Sequence, residues 1–249
     1  MMATDFRGKK ILITGASSGI GKSVAKYLSL NGATVVLVAR NKDKLNQIAL
    51  ELPGESKVFP YDLTNLENIN QIFEFCRHES ILLSGMVHCA GISPLMTVRE
   101  NDLSIMLDTF KINYFAFVEM VKYFSFEQYS LDNSSIVAIS SDAAVVGGYR
   151  QAIYSGSKAA LNASVKSMAR ELQFTRKIRI NTIMPSAVET EMLDELRNNS
   201  TDLDDKILIR QVLGIIEPDN IAGLVGYLLS DMGRYMNGLS IPVNGGYVY

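Results

Sequence analysis

A tyrosine and a lysine with helical spacing are the side chains of this chain best placed for proton chemistry. Tyr154 and Lys158 lie four residues apart in the segment YSGSKAA, and Ser141 lies thirteen positions before Tyr154. On a helix, side chains at i and i+4 project from the same face. An ammonium group beside a phenol favours the phenolate, so we expect Lys158 to lower the pKa of Tyr154 from about 10 towards neutrality. This predicts a general acid and base at physiological pH.

A glycine-rich loop near the N-terminus predicts a dinucleotide site. The segment TGASSGIGK follows a predicted strand, opens a predicted helix, and carries glycines at positions 15, 19 and 21. Glycines at these places allow a tight turn, a close approach of the pyrophosphate and close packing of helix on strand. The N-terminus of the helix offers N–H groups and a partial positive charge to phosphate. We predict cofactor contacts from Gly15, Ser17, Ser18, Gly19 and Ile20.

The end of the second predicted strand indicates which nucleotide is bound. Dinucleotide sites for NAD place a carboxylate there to bind the ribose 2′-hydroxyl. This chain has Arg40 and Asn41 at that point, and its first carboxylate is Asp43 within a predicted helix. A guanidinium can bind a 2′-phosphate with two hydrogen bonds and stack on adenine. The sequence therefore predicts that NADP(H) is preferred and NAD(H) is possible, unless Arg40 is only a solvated loop residue.

Short apolar runs alternate with helix-length amphipathic segments and predict an α/β fold. The candidate strands are Lys10–Thr14, Thr34–Ala39, Lys57–Tyr61, Gly85–Cys89, Ser135–Ser140, Arg179–Met184 and Ser240–Asn244. The candidate helices are Gly19–Asn31, Lys42–Leu52, Leu66–His78, Asp102–Tyr129, Ile153–Thr175 and Pro218–Ser230. Successive Val and Ile residues are typical of parallel strands covered on both faces. We predict a doubly wound, seven-stranded parallel sheet of Rossmann type with helices on both faces, as one domain over residues 1–249.

One long polar excursion interrupts this alternation. It runs from Thr190 to Ile216, with a weak helical pattern around Asp202–Leu213, and it directly follows the sixth predicted strand. Ligands of α/β proteins bind at the carboxyl ends of the strands, and long loops there are often functional. We therefore predict a substrate lid at about 190–216.

Composition excludes several classes of partner. The chain of 249 residues has 47% hydrophobic residues and a formal net charge of −2, without a basic block. This charge pattern is unfavourable for binding nucleic acid or an anionic membrane. No apolar run reaches the roughly 20 residues of a spanning helix. The 2 cysteines have neither disulfide nor metal-ligand spacing. We expect a soluble, cytoplasmic protein without a metal site.

Further candidate cofactor contacts follow the third and fourth predicted strands. Asp62, with Leu63 beside it, ends the third strand and could accept a hydrogen bond from the adenine amino group. Cys89, Ala90 and Gly91 end the fourth strand, where small residues let the chain pass close to a cofactor. The histidine that precedes them is expected to support this turn.

Taken in order and spacing, these motifs resemble the short-chain dehydrogenase/reductase superfamily in its single-domain branch. The resemblance runs from about Lys9 to Gly246, and it is strongest to the 3-oxoacyl-carrier-protein reductases and related broad-range ketone reductases. The residues that carry it are the glycine loop, Asp62, Ala90-Gly91, Asn113, Ser141, Tyr154 and Lys158.

The resemblance implies four catalytic roles. Tyr154 would protonate a carbonyl oxygen in reduction or deprotonate an alcohol in oxidation. Ser141 would hydrogen-bond the same oxygen, on which negative charge develops. Lys158 would lower the pKa of Tyr154 and hold the nicotinamide ribose, and Asn113 would hold a water that relays protons between Lys158 and solvent.

The loop after the sixth predicted strand adds contacts and contains a departure from the family pattern. Pro185, Val188 and Thr190 match positions that would contact the nicotinamide carboxamide or the diphosphate. Ser186 replaces a glycine, so a positive φ there would cost about 1 kcal/mol. Ser18 stands where many NADPH-preferring members carry a basic residue, so phosphate selectivity would depend on Arg40 alone.

The leading functional hypothesis is an NADPH-dependent reductase that transfers a hydride to a ketone carbonyl, such as a 3-oxoacyl thioester. One alternative is an NAD-dependent dehydrogenase of a sugar, polyol or steroid alcohol, which would use the same residues. A second alternative is a non-catalytic nucleotide-binding protein, which would be expected to lose Tyr154 or Lys158. Arg150 suggests an anionic substrate, although a surface role suits it better. The candidate pocket residues are Ser93, Pro94, Met96, Tyr149, Arg150 and Met192.

Two helical segments carry more apolar residues than one sheet face is expected to cover. These residues are Met106, Phe110, Phe115, Phe117, Met120, Phe124, Leu161, Val165, Met168 and Leu172. An exposed apolar patch of that size usually marks an interface. With the resemblance, this predicts a homotetramer, with a dimer as the alternative.

Overall fold

Seven parallel strands form the centre of the computed structural model, which describes residues 4–78, 81–198 and 203–247. The strands are β1 Lys10–Thr14, β2 Thr34–Ala39, β3 Ser56–Pro60, β4 Leu83–His88, β5 Ser130–Ile139, β6 Arg179–Pro185 and β7 Ser240–Val243. Their order across the sheet is β3-β2-β1-β4-β5-β6-β7, and every neighbouring pair is parallel. The strand order therefore reverses between β1 and β4, which is where ligands of doubly wound sheets bind.

Helices cover both faces of this sheet. They are α1 Gly19–Leu30, α2 Lys42–Glu51, α3 Asn70–Arg77, α4 Leu103–Phe110, α5 Ala116–Phe124, α6 Ala143–Val146, α7 Ala152–Thr175, α8 Glu191–Arg197, α9 Leu203–Leu208 and α10 Pro218–Leu229. Among the described residues, none of these helices combines the length and apolarity that a membrane span requires.

Two apolar cores explain why the strands read as continuous Val and Ile runs. On one face, side chains of α3, α5 and α7 such as Phe73, Phe117 and Leu161 pack on the sheet. On the other face, side chains of α1, α2 and α10 such as Leu28 and Leu45 do so. A strand enclosed in this way buries successive residues rather than alternate ones. The predicted doubly wound, seven-stranded fold is confirmed.

The helices differ from the prediction in several places. The segment predicted at Leu66–His78 begins with a 3₁₀ turn before α3. The segment predicted at Asp102–Tyr129 is divided by a π-helical stretch, Lys111–Phe115, between α4 and α5. The short helices α6 and α8 were not predicted. Of the weak helical pattern at 202–213, residues 203–208 form α9, and residue 202 lies outside the described residues.

The tight contact between α1 and α10 generates a stability prediction. A Cβ built on Gly226 would lie 2.3 Å from the Tyr27 ring, whose hydroxyl bonds Thr4 at 2.9 Å, whereas a Cβ on Gly223 meets nothing within 4 Å. We expect Gly226→Ala to lower the free energy of unfolding by about 1–3 kcal/mol through overpacking. Gly223→Ala should raise it by up to about 1 kcal/mol because alanine is the better helix former. Urea denaturation of both variants checks this, and equal effects would show that the contact does not matter.

Candidate active site

A cavity of about 660 Å³ opens along the carboxyl ends of the strands. Its size is that of a site for a cofactor with part of a substrate. All residues predicted to contact a cofactor line it: Gly15, Ser17, Ser18, Gly19, Ile20, Arg40, Asn41, Asp62, Leu63, Cys89, Ala90, Gly91, Tyr154, Lys158, Pro185, Val188 and Thr190. Ser141 lines it as well, so the proton-chemistry residues and the glycine loop share one cavity.

The glycine loop is shaped by its contact with the end of β4. Gly15 has a φ of 64°, and a Cβ built there would lie 2.7 Å from the backbone nitrogen of Ala90. Both the left-handed conformation and the close approach require glycine. The methyl of Thr190 lies 3.0 Å from the Cβ position of Gly19, so the loop after β6 also touches this turn. The three strand ends thus converge on one groove.

His88 supports this turn from inside the core. Its side chain is fully buried, and Nδ1 lies 3.0 Å from the hydroxyl of Thr14, which also accepts a 3.4 Å hydrogen bond from the Ala90 backbone N–H. Burial, together with the charge of Lys158, lowers the pKa of His88 to about 3. A neutral, enclosed imidazole has a positional role here and cannot reach a substrate.

The other end of the cavity carries two cations. Arg40 is exposed and has no hydrogen-bonding or ion-pair partner within the part of the chain that the structure describes. Asn41 caps α2 by accepting a 3.0 Å hydrogen bond from the Lys44 N–H. Lys44 lines the same cavity as Arg40. One turn of α2 thus brings a second cation to this end of the cavity, and the dependence of phosphate selectivity on Arg40 alone stays a prediction.

Asp62 lies two residues beyond the end of β3, which ends at Pro60 rather than at Tyr61 as predicted. Its Oδ1 accepts hydrogen bonds from the N–H and hydroxyl of Thr64, at 2.9 and 2.8 Å. The carboxylate is thereby held at the wall of the cavity, beside Leu63.

Tyr154 is buried in the floor of the cavity on the first turn of α7. The expectation that its pKa is lowered towards neutrality is wrong. Burial raises the pKa of Tyr154, the hydrogen bond with Ser141 lowers it in part, and the charge of Asp142 raises it again. The phenol of Tyr154 is therefore held in its protonated form.

The contacts of Lys158 explain why its positive charge does not set the pKa of Tyr154. Its Nζ donates a 2.7 Å hydrogen bond to the carbonyl of Ile139, at the end of β5, and lies 5.8 Å from the centre of the Tyr154 ring. Burial lowers the pKa of Lys158 to about 8. The ammonium group is therefore directed to a backbone carbonyl, and burial works against its charged form.

Asn113 lies one layer behind the cavity, in the π-helical stretch. It is fully buried; its Oδ1 accepts from the Ile92 N–H at 2.9 Å, and its Nδ2 donates to the Ile92 carbonyl and to Ser157. These bonds fix the loop after β4. Single-turn π stretches inside helices are frequent at functional sites.

The substrate side of the cavity differs in part from the prediction. Ser93 and Met192 line it, whereas Pro94, Met96, Tyr149 and Arg150 are not among its lining residues. Arg150 instead pairs with Glu100 at 3.4 Å. Apolar side chains that were not predicted enclose the site on the lid side: Leu193, Leu196, Leu203 and Ile207.

The loop after β6 is not strained at the position where glycine was expected. The described non-glycine residues with positive φ are Asn133, Arg150 and Lys177, so Ser186 has an ordinary backbone. Its hydroxyl hydrogen-bonds the carboxylate of Asp142, a cavity residue that the sequence analysis did not single out. Because Asp142 directly follows Ser141, a candidate catalytic residue, its place in the sequence could have indicated that it lies in the site.

No group of three or more His, Cys, Asp or Glu side chains is arranged to hold a metal ion within residues 4–78, 81–198 and 203–247.

Comparison with known proteins identifies the group to which this arrangement belongs. Residues 15–248 match the family described as Enoyl-(Acyl carrier protein) reductase. The 3-oxoacyl-[acyl-carrier-protein] reductase FabG of Thermotoga maritima is 31% identical over 248 residues, covering 97% of this chain and 98% of that protein. Nodulation protein G of Rhizobium meliloti is 29% identical over 246 residues, with the same coverage of 97% and 98%.

Solved structures agree. A short-chain dehydrogenase/reductase from Brucella melitensis, described as glucose/ribitol dehydrogenase, superposes with a TM-score of 0.92 at 26% identity, covering 100% of both chains. A 7α-hydroxysteroid dehydrogenase complexed with NADH and 7-oxo glycochenodeoxycholic acid gives a TM-score of 0.91 at 25% identity, covering 98% of this chain and 96% of that one.

This chain belongs to the short-chain dehydrogenase/reductase superfamily. It is thereby an NAD(P)-dependent oxidoreductase of small-molecule substrates, and its resemblance to the 3-oxoacyl-carrier-protein reductases is confirmed.

Proposed function

We propose that this dehydrogenase/reductase is an NADPH-dependent reductase of ketone carbonyls, with Tyr154 as the acid and base. One observation carries the proposal: Ser141, Tyr154 and Lys158 line the same cavity as the glycine loop and Arg40. A proton donor, an oxyanion-binding hydroxyl and a nucleotide groove in one cavity are the parts that hydride transfer to a carbonyl requires.

The groove fits a dinucleotide on its own geometry. Gly15 meets the backbone of Ala90 so closely that no side chain could occupy the turn, and α1 begins directly behind it. The N–H groups at this helix N-terminus would hold the diphosphate, with Thr190 on the opposite wall. Val188 and Pro185 would hold the nicotinamide end. When bound, the nicotinamide supplies the hydride.

Proton transfer would take place at the Tyr154 hydroxyl. Because burial raises its pKa, the phenol is protonated at neutral pH and can donate to a carbonyl oxygen that becomes an alkoxide. Ser141 lines the cavity next to it and would hydrogen-bond the same oxygen, which stabilises the developing negative charge.

Lys158 and Asn113 would return the proton. A Cβ built on Gly91 would lie 3.3 Å from both Lys158 Nζ and Asn113 Oδ1, so this glycine leaves the space between them open. A water there would connect the lysine to the cavity. Since the pKa of Lys158 is lowered to about 8, its ammonium can release a proton near neutral pH.

Arg40 and Lys44 support a preference for NADPH. Both line the cavity at the end of β2, where no carboxylate is present to bind a ribose 2′-hydroxyl. Charge-assisted hydrogen bonds to a 2′-phosphate contribute roughly 1.5–3 kcal/mol at such a site, which corresponds to about ten- to a hundredfold in affinity.

Residues 190–216 would act as the substrate lid. The segment is closed at its base by pairing of Val188 with Ile216 and by Gln211, whose side chain bonds the backbone of Ala187 at 3.0 and 2.9 Å. Above that base, Arg197 joins α8 to α9 through Asp204 at 2.9 Å. Arg197 also bonds Asp194 and both carboxylate oxygens of Glu189.

The lid supports an apolar substrate. It turns Met192, Leu193, Leu196, Leu203 and Ile207 to the cavity, and Arg150 does not line it. An acyl chain of a 3-oxoacyl thioester suits such a wall, as the similarity to 3-oxoacyl-[acyl-carrier-protein] reductases also suggests.

A dehydrogenase of a sugar, polyol or steroid alcohol is the second candidate. The structures described as glucose/ribitol dehydrogenase and as 7α-hydroxysteroid dehydrogenase with NADH favour it, because they match at TM-scores of 0.92 and 0.91. NADPH consumption with acetoacetyl thioesters, keto-sugars, 7-oxo steroids and α-diketones would separate the two. A non-catalytic nucleotide-binding role is disfavoured because Tyr154 and Lys158 are both retained.

Replacing the acid tests the mechanism. We expect Tyr154→Phe to lower turnover by about 10²- to 10⁴-fold, since it removes the proton donor, while leaving NADPH affinity within a few-fold. Steady-state kinetics and NADPH fluorescence titration measure the two effects. Tyr149→Phe is the control, because that ring is 90% exposed and outside the cavity. Turnover of Tyr154→Phe within tenfold of the unaltered enzyme would refute the assignment.

Replacing the cations tests the cofactor preference. We expect Arg40→Gln to raise the Kd for NADPH about tenfold or more and Lys44→Gln to raise it less, with the Kd for NADH nearly unchanged. Lys42→Gln is the matched control, because Lys42 is exposed on the same helix and does not line the cavity. If the unaltered protein binds NADH as tightly as NADPH, or if both Kd values rise together, the NAD-dependent alternative takes first place.

We also propose a homotetramer, although the core accounts for most of the apolar residues behind that prediction. Phe117, Met120, Phe124, Leu161, Val165 and Leu172 are buried within the subunit. The exposed apolar side chains of α4 and the π-helical stretch are instead Leu103, Ile105, Leu107 and Phe115, at 67%, 39%, 48% and 41% exposure. An apolar strip along α4 and the π-helical stretch is the kind of surface that a second copy covers.

Light scattering checks the assembly. We expect a particle of about four subunits of 27.5 kDa for the unaltered protein. Leu107→Glu should give a smaller species, because it places a charge in the apolar strip. Leu50→Glu, at an 88% exposed leucine on α2, should not. A stable monomer at micromolar concentration would contradict the proposal.

A further inference from the structure

A buried carboxyl group lies directly beside the proposed acid. Asp142 is 8% exposed, lines the cavity and follows Ser141 in the chain. The Ser141 hydroxyl donates a 3.4 Å hydrogen bond to Asp142 Oδ1, and the Ser186 hydroxyl is a second partner. Burial raises the pKa of Asp142, and the hydrogen bonds from the Ser186 hydroxyl, the Ala143 N–H and the Ser141 hydroxyl lower it in part. The mechanism proposed above does not use this group.

The backbone fixes the position of this carboxyl group. The Asp142 N–H donates to the Pro185 carbonyl at 2.9 Å, which ties the end of β5 to the end of β6. Ser186 is held in turn by its N–H to the Val243 carbonyl at 3.0 Å. The Ala143 N–H donates to Ser141 Oγ at 3.2 Å. The ends of β5, β6 and β7 therefore hold the carboxyl group of Asp142 beside Ser141.

This arrangement gives the single proton of the Ser141 hydroxyl two possible acceptors. With Asp142 charged, the proton points to Oδ1, and the serine oxygen accepts from the Ala143 N–H. The other acceptor is the Tyr154 oxygen, and donation of the proton to it lowers the pKa of the phenol. A substrate carbonyl oxygen would have to take the same proton from Asp142. The carboxylate also acts on the phenol by its charge, because a nearby negative charge disfavours a phenolate.

We propose that Asp142 is a positioning residue that sets the pH at which Tyr154 gives up its proton, through its charge and through the Ser141 hydroxyl. The inference rests on the proposed role of Tyr154 as the acid and base. On this proposal, the carboxyl group of Asp142 and the hydroxyl of Ser186 together keep the phenol of Tyr154 protonated.

The other titratable groups around the Tyr154 phenol are either uncharged or directed away from it. On α7, Lys158 is directed to the Ile139 carbonyl. At the end of β4, His88 is neutral, and burial raises the pKa of the Cys89 thiol to about 12, so it is uncharged as well. From the lid, Glu191 lines the cavity, with its carboxylate 3.6 Å from the Cβ position of Gly19 at the glycine loop.

The test is the pH profile of Asp142→Asn. Alcohol oxidation needs the phenolate and ketone reduction needs the phenol, so both midpoints follow the pKa of Tyr154. Removing the charge should move both to lower pH by about one unit, the size expected for one charge a few ångströms away. The profiles of kcat/KM are measured above pH 7 in both directions. Glu67→Gln, which removes an exposed carboxylate outside the cavity, is the matched control and should leave both midpoints in place.

A second measurement does not depend on turnover. Ultraviolet titration of tyrosinate, taken as the difference between Asp142→Asn and Asp142→Asn/Tyr154→Phe, gives the midpoint of Tyr154 itself. It should lie below the midpoint from the same difference in the unaltered background. If Asp142→Asn does not fold, Asp142→Ser replaces it, and a shift in the same direction is expected because this change also removes the charge.

The outcomes separate this inference from the proposed function. Unmoved midpoints with an inactive Tyr154→Phe would overturn the role of Asp142 and leave the acid assignment intact. An active Tyr154→Phe would overturn both. Lower turnover at unmoved midpoints would show a structural effect of Asp142 and would also overturn the inference.

Discussion

The close approach of β1 to β4 at their carboxyl ends is the constraint on which the rest of the site depends. Gly15 passes so near the backbone of Ala90 that a Cβ would lie 2.7 Å from its nitrogen. Thr14 and His88 hold the two strand ends together at 3.0 Å. The groove for the nucleotide exists because the strand order reverses at this point. The chain therefore runs to one face of the sheet after β1 and to the opposite face after β4. The glycine loop and the floor of the cavity both begin from this contact.

Burial then decides the protonation of the groups around the cavity floor. The same loss of solvent raises the pKa of Tyr154 and of the Cys89 thiol and lowers the pKa of Lys158 and His88. Each shift favours the uncharged form, because a charge is costly to bury without a partner. The Ile139 carbonyl gives Lys158 such a partner. The groups around the cavity floor therefore favour their uncharged forms, and the charge of Asp142 acts in the same direction on the phenol of Tyr154.

The departures of this chain from the family pattern are accommodated by neighbouring groups. A histidine at position 88 keeps the turn after β4 in place through Thr14, and it does so without entering the cavity. Ser186 needs no left-handed backbone and uses its hydroxyl on Asp142. Lys44 adds a cation at the adenosine end of the cavity, where the glycine loop carries Ser18 in place of a basic residue. None of these changes removes a group proposed to take part in the reaction.

The fold, the glycine loop and the predicted cofactor contacts could be read from the sequence, whereas Asp142, Lys44 and the apolar wall of the cavity were not predicted from it. Apolar periodicity and short motifs such as the segment around Tyr154 and Lys158 are local properties that a chain carries wherever it folds. The partner of each group was decided only by tertiary structure. Spacing brought Lys158 near Tyr154, but the end of β5 offered its ammonium a carbonyl, and burial reversed the expected direction of the tyrosine pKa. Desolvation and hydrogen bonding depend on residues distant in sequence, and no local pattern records them.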